Sequence, residues 1–478
     1  MNEHSDSKIE TVISDFRAAE KWLFTLITDP KGERYFQEKP MDVRMVEFQE
    51  QIERMADFLV FCGHPERKFS SIHVAGTSGK GSVVHLLAGI LKAGGYKVGY
   101  HVSPYLQVCN EKLIVDGNLI RPSEFADLVG KLRTKYEQWQ QTNGRFEAIK
   151  YGEAWVALTY LWLARNHVDW GVIETGLGGR YDPTNVLPST LAVITNVNYD
   201  HVEVLGETLE EIASHKAGII KTDGLVITAE TKPEVLEVIQ MEASKKNARL
   251  FRIGKDYQYQ IGEDGSLTVD GPHTTYHHLK VAAPGEFQLE NAALAVAALD
   301  LLAGEGLIEL QPASVKAGLG VQVAGRFEII QEDPVVILDG AHNQHKASAL
   351  ARSLVRAYPD KKLTVVLGTL SIKDFSGIIE ALAPITGKWI ATQPKVFGKP
   401  AAPAAALAAV IRKITPDLPV IEFESVRDAI WQTLADAAED EIIVVTGSLY
   451  MLGEARGVWR SVDQILSDIE QRGNSELI

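Results

Sequence analysis

The stretch Gly76-Thr77-Ser78-Gly79-Lys80-Gly81-Ser82 combines glycines, hydroxyl side chains and one lysine in seven residues. Glycines let backbone N–H groups converge on phosphate oxygens. A lysine reaches the terminal phosphates of a triphosphate, and a serine opening a helix can ligate Mg²⁺. The flanks suit this, since Ile72-His73-Val74-Ala75 reads as a buried strand and Val83–Leu91 as a helix. A strand, a glycine turn and a helix N-terminus together hold ATP with Mg²⁺. The loop is shorter than the strict Walker pattern. The rival reading is a glycine-rich turn with an incidental lysine.

Other residues could join this chemistry. Glu174 ends the strand Trp170–Glu174 and precedes Gly176-Leu177-Gly178-Gly179-Arg180. A carboxylate there is a candidate Mg²⁺ ligand, because ligands bind open α/β sheets beyond the carboxyl ends of strands. The rival is a strand-end carboxylate in solvent. Asp200-His201 follows the strand Leu191–Asn196, and a lone Asp-His pair is more often structural than ligating. Lys216 lies near the end of a helix opened by the capping pair Thr208 and Glu211. Periodicity alone makes it a lysine favoured by the helix dipole. In Asp339-Gly340-Ala341-His342-Asn343, Asp339 and His342 could be helix caps only.

Taken in order, these strings resemble the folylpolyglutamate synthase/dihydrofolate synthase family of the Mur ligase superfamily. The resemblance rests on Gly-Thr-Ser-Gly-Lys-Gly-Ser, Ser103-Pro104-Tyr105-Leu106 with Asn110-Glu111-Lys112, the Glu174 string through Asn185 and Asp200-His201. It continues through Lys216-Ala217-Gly218-Ile219-Ile220-Lys221, Gln288 to Ala292, the Asp339 string and Thr446 to Glu454. It implies a ligase that phosphorylates a carboxylate with ATP and joins L-glutamate to it.

By resemblance, Gly76 to Ser82, Asn291, Arg326, Asp339 and His342 bind ATP, and Lys80, His201 and Lys216 are catalytic. Ser82, Ser103, Glu174, His201 and Lys216, the last as a carbamate, hold metal. Ser103, Pro104 and Tyr105 lie by the pterin of a folate or dihydropteroate. The small Ala217 and Gly218 would leave room for the carbamate. The family usually has Asn at Ser78, His at Tyr105 and Arg at Lys112. Two alternatives therefore stay open: a Mur-type ligase acting on a non-folate carboxylate, and a P-loop switch or kinase without ligase activity.

Positioning these groups requires an α/β fold. The pattern predicts a P-loop-type ATPase domain with a mostly parallel sheet over residues 1–320, including N-terminal helices around Ile9–Leu26 and Met45–Leu59. Its strands include Val98–Val102 and Leu225–Thr228, its helices Glu124–Trp139 and Ala154–Ala164. A hairpin turns at Glu263-Asp264-Gly265, and His273, His277 and His278 beyond it read as surface. Gly318, Gly320 and Gly325 mark a boundary. A smaller Rossmann-like α/β domain follows over residues 326–478, with strands Val335–Leu338, Leu363–Leu367, Trp389–Thr392 and Ile442–Val445. Residues Gln471–Ile478 read as an unstructured tail.

Composition bounds the rest. A formal charge of −15 argues against a nucleic-acid binder, which needs a basic footprint. It also requires local groups to hold any anionic ligand. No apolar run is expected to reach a membrane span, and the first residues lack the apolar core of a signal peptide. The 2 cysteines, Cys62 and Cys109, make no disulfide framework and fit a reducing cytoplasm. A monomer is expected.

Overall fold

The computed structural model describes residues 3–30, 41–142, 144–282 and 285–472. Its first sheet uses β1 (Ser70–Ala75), β2 (Val98–His101), β3 (Ile114–Val115), β4 (Asn118–Leu119), β5 (Trp170–Glu174), β6 (Leu191–Ile194), β7 (Leu225–Thr228) and β8 (Arg249–Arg252). The order is β4-β3-β2-β5-β1-β6-β7-β8. β2 through β8 run parallel across β5, β1, β6 and β7, while the two-residue strands β3 and β4 pair antiparallel at one edge. β1 is central, and its Ile72, Val74 and Ala75 are buried. A strand covered on both faces favours apolar residues; the one imidazole within it, His73, is fully buried and its Nε2 lies 2.9 Å from Thr184 Oγ1.

The helix Lys80–Ala93 leaves β1 and packs on helix Glu286–Gly304. By length and composition, Phe287–Gly304 could cross a membrane, contrary to the sequence expectation. It is 72% buried, as the core helix of this domain. Helix Pro312–Gly318 lies against Lys80–Ala93 where Gly89 meets Gly318; a Cβ on Gly89 would come 2.7 Å from Gly318 O. Gly318 is thus a helix-crossing residue as well as a sign of the approaching boundary. The predicted hairpin is a three-stranded sheet of β9 (Gln258–Ile261), β10 (Leu267–Asp270) and β11 (Thr275–Leu279). His277 and His278 are exposed on β11, and His273 is exposed before it.

A helical layer covers the β2–β5 side. Helices Glu3–Phe24, Met41–Phe61, Pro122–Thr142 and Tyr151–Arg165 share a core of Phe16, Phe58, Phe125, Trp139 and Trp155. A buried ion pair, Arg54 Nη2 to Glu153 Oε1 at 2.8 Å, ties the second of these to the fourth.

The second domain contributes β12 (Glu328–Glu332), β13 (Val335–Asp339), β14 (Leu363–Leu367), β15 (Thr386–Thr392), β16 (Val420–Phe423) and β17 (Ile442–Thr446). Their order is β12-β13-β17-β14-β15-β16, parallel except for the antiparallel edge strand β12. The last helix, Val462–Arg472, returns to the first domain. Its Ile465, Leu466 and Ile469 enter the helical-layer core, and Asp463 pairs with Arg17 at 2.5 Å. The expected tail thus begins as helix, and residues 473–478 lie outside the described residues.

Candidate functional site

The carboxyl ends of β1, β5 and β6 face those of β13, β14 and β17 across a cavity of about 400 Å³. Every residue expected at the site lines it, from Gly76 to Ser82 through Ser103, Pro104, Glu174, His201, Lys216, Asn291, Arg326, Asp339 and His342, with Tyr105 as the exception.

The phosphate loop is held from behind. Ser78 N donates to Asn196 Oδ1 at 3.0 Å, Thr195 Oγ1 donates to Ser78 O at 2.6 Å, and Thr77 Oγ1 donates to Asn198 O at 3.0 Å. Gly79 has φ +82° and caps helix Lys80–Ala93, and a Cβ there would collide with Asn291 Oδ1. Glycine serves both the left-handed backbone and the close approach. Lys80 Nζ donates to Gly76 O at 3.1 Å and lies 3.8 Å from Glu174 Oε1. Glu174 accepts from Ser103 N at 3.1 Å. Burial raises the Glu174 carboxyl and Lys80 pulls it back.

The glycines after Glu174 have a packing task. A Cβ on Gly179 would come 2.8 Å from His215 O, and Arg180 N donates to that carbonyl at 2.6 Å. The loop thereby docks on the end of helix Leu209–Ala217, which the expected Thr208–Glu211 capping box opens. Lys216 reaches the cavity from this helix end. Burial, reinforced by Lys80, lowers its amine to about 7. The space beside Gly218 is taken by Arg180, which a Cβ there would strike, and Ala217 is core, so Lys216 has its open space on the cavity side and not beside these small residues. His201 has φ +53°, is 34% exposed and lies 3.5 Å by Nδ1 from Glu203 Oε1. Asp200 Oδ1 lies 3.9 Å from His201 Nε2 and 2.7 Å from Lys373 Nζ of the second domain.

Asp339 ends β13 beside Thr446 of β17 and accepts from Phe327 N and Ala341 N, both at 2.9 Å. Burial raises its carboxyl and Arg326 opposes that. Asp339 thus shapes the turn that presents His342 and Arg326. Tyr105, next in sequence to Ser103 and Pro104, is partly buried and packs against the helical-layer core, where burial first and then the nearby Tyr151 and Cys109 push its hydroxyl up. Lys112 is also buried there, 5.2 Å from the Trp155 ring centroid.

Sequence reasoning missed Lys346, Lys373 and Lys399, which line the cavity from the second domain. Lys346 stands three residues beyond Asn343, so its place in the motif was the available signal. Among the described residues no three His, Cys, Asp or Glu side chains converge as a metal cluster. A divalent cation beside Ser82 and Glu174 would draw its remaining ligands from phosphate and water, as Mg²⁺ commonly does. A buried carboxylate and a hydroxyl are oxygen donors that fit that ion.

Two family models match the chain: the Mur ligase middle domain over residues 74–299 and the Mur ligase glutamate ligase domain over 325–449. Dihydrofolate synthase/folylpolyglutamate synthase of Bacillus subtilis is 34% identical over 418 residues, covering 84% of this chain and 93% of that one. The protein of the same name from Mycobacterium tuberculosis is 33% identical over 436 residues, covering 84% and 88%. A solved structure of Mycobacterium tuberculosis folylpolyglutamate synthase complexed with ADP matches with TM-score 0.79 at 30% identity, over 94% of this chain and 99% of that one.

Proposed function

Because the chain belongs to the folylpolyglutamate synthase/dihydrofolate synthase family of Mur ligases, we propose that it joins L-glutamate to a folate carboxylate at the expense of ATP. It is an ATP-dependent carboxylate–amine ligase. A substrate carboxylate oxygen attacks the γ-phosphorus and ADP leaves. The amine nitrogen of glutamate then attacks the acyl carbon, phosphate leaves with the transferred oxygen, and the amine loses a proton. What carries the reading is that the Lys80 loop of one domain and the Asp339–His342 turn of the other line one cavity. A nucleotide switch needs no such second wall.

The residues have distinct tasks. Loop amides and Lys80 neutralise the transferring phosphoryl group, where positioning and electrostatics dominate. Arg326 reaches toward the nucleotide from the second domain, and Asn291 sides with its base. Ser82, Ser103 and Glu174 would hold Mg²⁺, and His201 with a carbamate on Lys216 would hold a second ion. Bound there, Mg²⁺ would supply charge neutralisation at phosphate oxygens. A lysine carries the carbamate only through its neutral amine, which the burial of Lys216 favours. Ser103 and Pro104 border the pterin side.

Folate, dihydropteroate, glutamate and ATP are the proposed ligands. Both walls of the cavity come from one chain, which is consistent with the proposed monomer, and two free buried cysteines are consistent with a cytoplasmic protein. The test is ADP release with each substrate omitted in turn. Release should require ATP, glutamate and either a reduced folate or dihydropteroate. Release with other carboxylates but with no folate or pteroate would overturn the substrate assignment.

A further inference from the structure

Helix Met41–Phe61 divides into two halves. The second is anchored in the helical layer, where Met55, Phe58 and Leu59 are buried and Arg54 pairs with Glu153. The first lies outside that core. Between Val43 and Gln51 only Arg44, Phe48 and Gln51 are half-buried, and the other side chains are exposed. Positions i, i+4 and i+7 share one face of a helix. Two of these three residues are polar, so apolar packing alone does not account for the face.

The face meets the segments that carry His201 and Lys216. Arg44 Nη1 donates to Glu203 O, in the short helix that His201 caps. Phe48 stacks on Tyr181, with centroids 5.5 Å apart and planes 16° from parallel, and meets His215 edge-on at 6.3 Å. Tyr181 and His215 close the trio at 5.7 Å. Gln51 Nε2 donates to Tyr181 O at 3.0 Å. His215 adjoins Lys216 at the end of helix Leu209–Ala217, whereas His201 follows β6. The two side chains thus come from different elements. His201 also holds φ +53°, a backbone that a non-glycine residue keeps only where its surroundings fix it. A helix anchored in the core and touching both segments sets the distance between them.

We propose that Arg44, Phe48 and Gln51 form a brace that keeps His201 and Lys216 at one spacing and so holds the second ion's site in shape. None of the three lines the cavity, so they are positioning residues. The inference rests on the ligase reading with its second ion. Groups behind a metal's ligands are commonly worth roughly 10- to 100-fold in affinity or activity, because the ligands must be held in orientation.

The experiment titrates Mn²⁺, read by electron paramagnetic resonance, into the full-length enzyme with a non-hydrolysable ATP analogue in bicarbonate buffer. Wild type should bind two ions. In Phe48→Ala one of them should weaken by roughly 10- to 100-fold, while the other, beside Ser82 and Glu174, stays within about twofold. The kcat for ADP release should fall with it, and the KM for ATP should stay within about twofold. Phe48→Tyr keeps the ring and should recover most of the lost affinity. Met45→Ala, on the exposed face of the same helix, should match wild type. Arg44→Ala should weaken the same ion and carries the test should Phe48→Ala not fold. Unchanged Mn²⁺ affinities in folded variants, even with a lower melting temperature, would overturn the brace, as would equal weakening of both ions. Wild type that binds a single ion would overturn the second-ion reading, and the brace with it.

Discussion

Lys373 Nζ lies 2.7 Å from Asp200 Oδ1, and each side chain is only 14% exposed. The lysine follows β14 of the second domain, and the aspartate follows β6 of the first. Burial pushes the Asp200 carboxyl up, and His201 and Lys373 beside it more than reverse that. The pair therefore joins the two walls of the cleft at the residue next to His201.

Removing the lysine should loosen the closed arrangement. Pairs of this partial burial are worth on the order of 1–3 kcal/mol, between exposed and fully buried cases. Lys373→Met should enlarge the radius of gyration in small-angle scattering without nucleotide. Arg326→Ala should instead weaken the compaction that an ATP analogue produces, if Arg326, which lines the cavity from the second domain, takes its proposed place on the nucleotide phosphates. Scattering of both variants identical to wild type would refute closure through these residues.

The phosphate loop separates charge from shape. Lys80→Ala should reduce ADP release by at least roughly 100-fold, the scale of one lost electrostatic group, with an unchanged circular dichroism spectrum. Gly79→Ala keeps every charge but places a methyl against Asn291 Oδ1 at φ +82°. It should raise the KM for ATP by about tenfold and cost about 1–2 kcal/mol of stability for the left-handed backbone. Normal turnover in a folded Lys80→Ala protein would remove this loop from the phosphate site.

Lys216 tests the carbamate. Lys216→Ala should lose activity by roughly 100-fold or more and regain part of it with added acetate or propionate, which restore the anion. Lys216→Arg should stay inactive although it keeps a positive charge. Near-normal activity of the arginine variant would rule out an anionic ligand at this position.

His101 supplies a pH-dependent stability. Its Nδ1 meets Thr159 Oγ1 at 2.9 Å, and burial first, then Lys112, lowers the imidazole to about 3. The folded protein holds His101 neutral while the unfolded chain protonates near its ordinary value of 6.5. This contribution is therefore complete above pH 6.5 and is lost as pH falls toward 3. The stability difference between wild type and His101→Gln should shrink by about 2 kcal/mol from pH 7 to pH 5. Denaturation at both pH values measures it, and a constant difference would show that His101 is protonated in the fold.

What the sequence determined by itself is local. The phosphate loop, the Thr208–Glu211 cap and the alternation of apolar strands with helices were legible because each is set by residues within a few positions, through glycine dihedrals, capping hydrogen bonds and periodicity. The order of family strings added the ligase chemistry. Tertiary structure decided the rest. The strands β3, β4, β11, β12 and β16 are short or lie at edges, so pairing rather than pattern makes them. Gly318 reads as a boundary until Gly89 is seen against it. Gly218 reads as space until Arg180 fills it. The packing of Tyr105 against the helical-layer core, beside the cavity-lining Ser103 and Pro104, is set by elements distant in sequence. Above all, Lys373 is an ordinary loop lysine in sequence. Its charge acquires meaning from Asp200, because Coulomb and hydrogen-bond energies depend on distance and burial that only the closed pair of domains supplies.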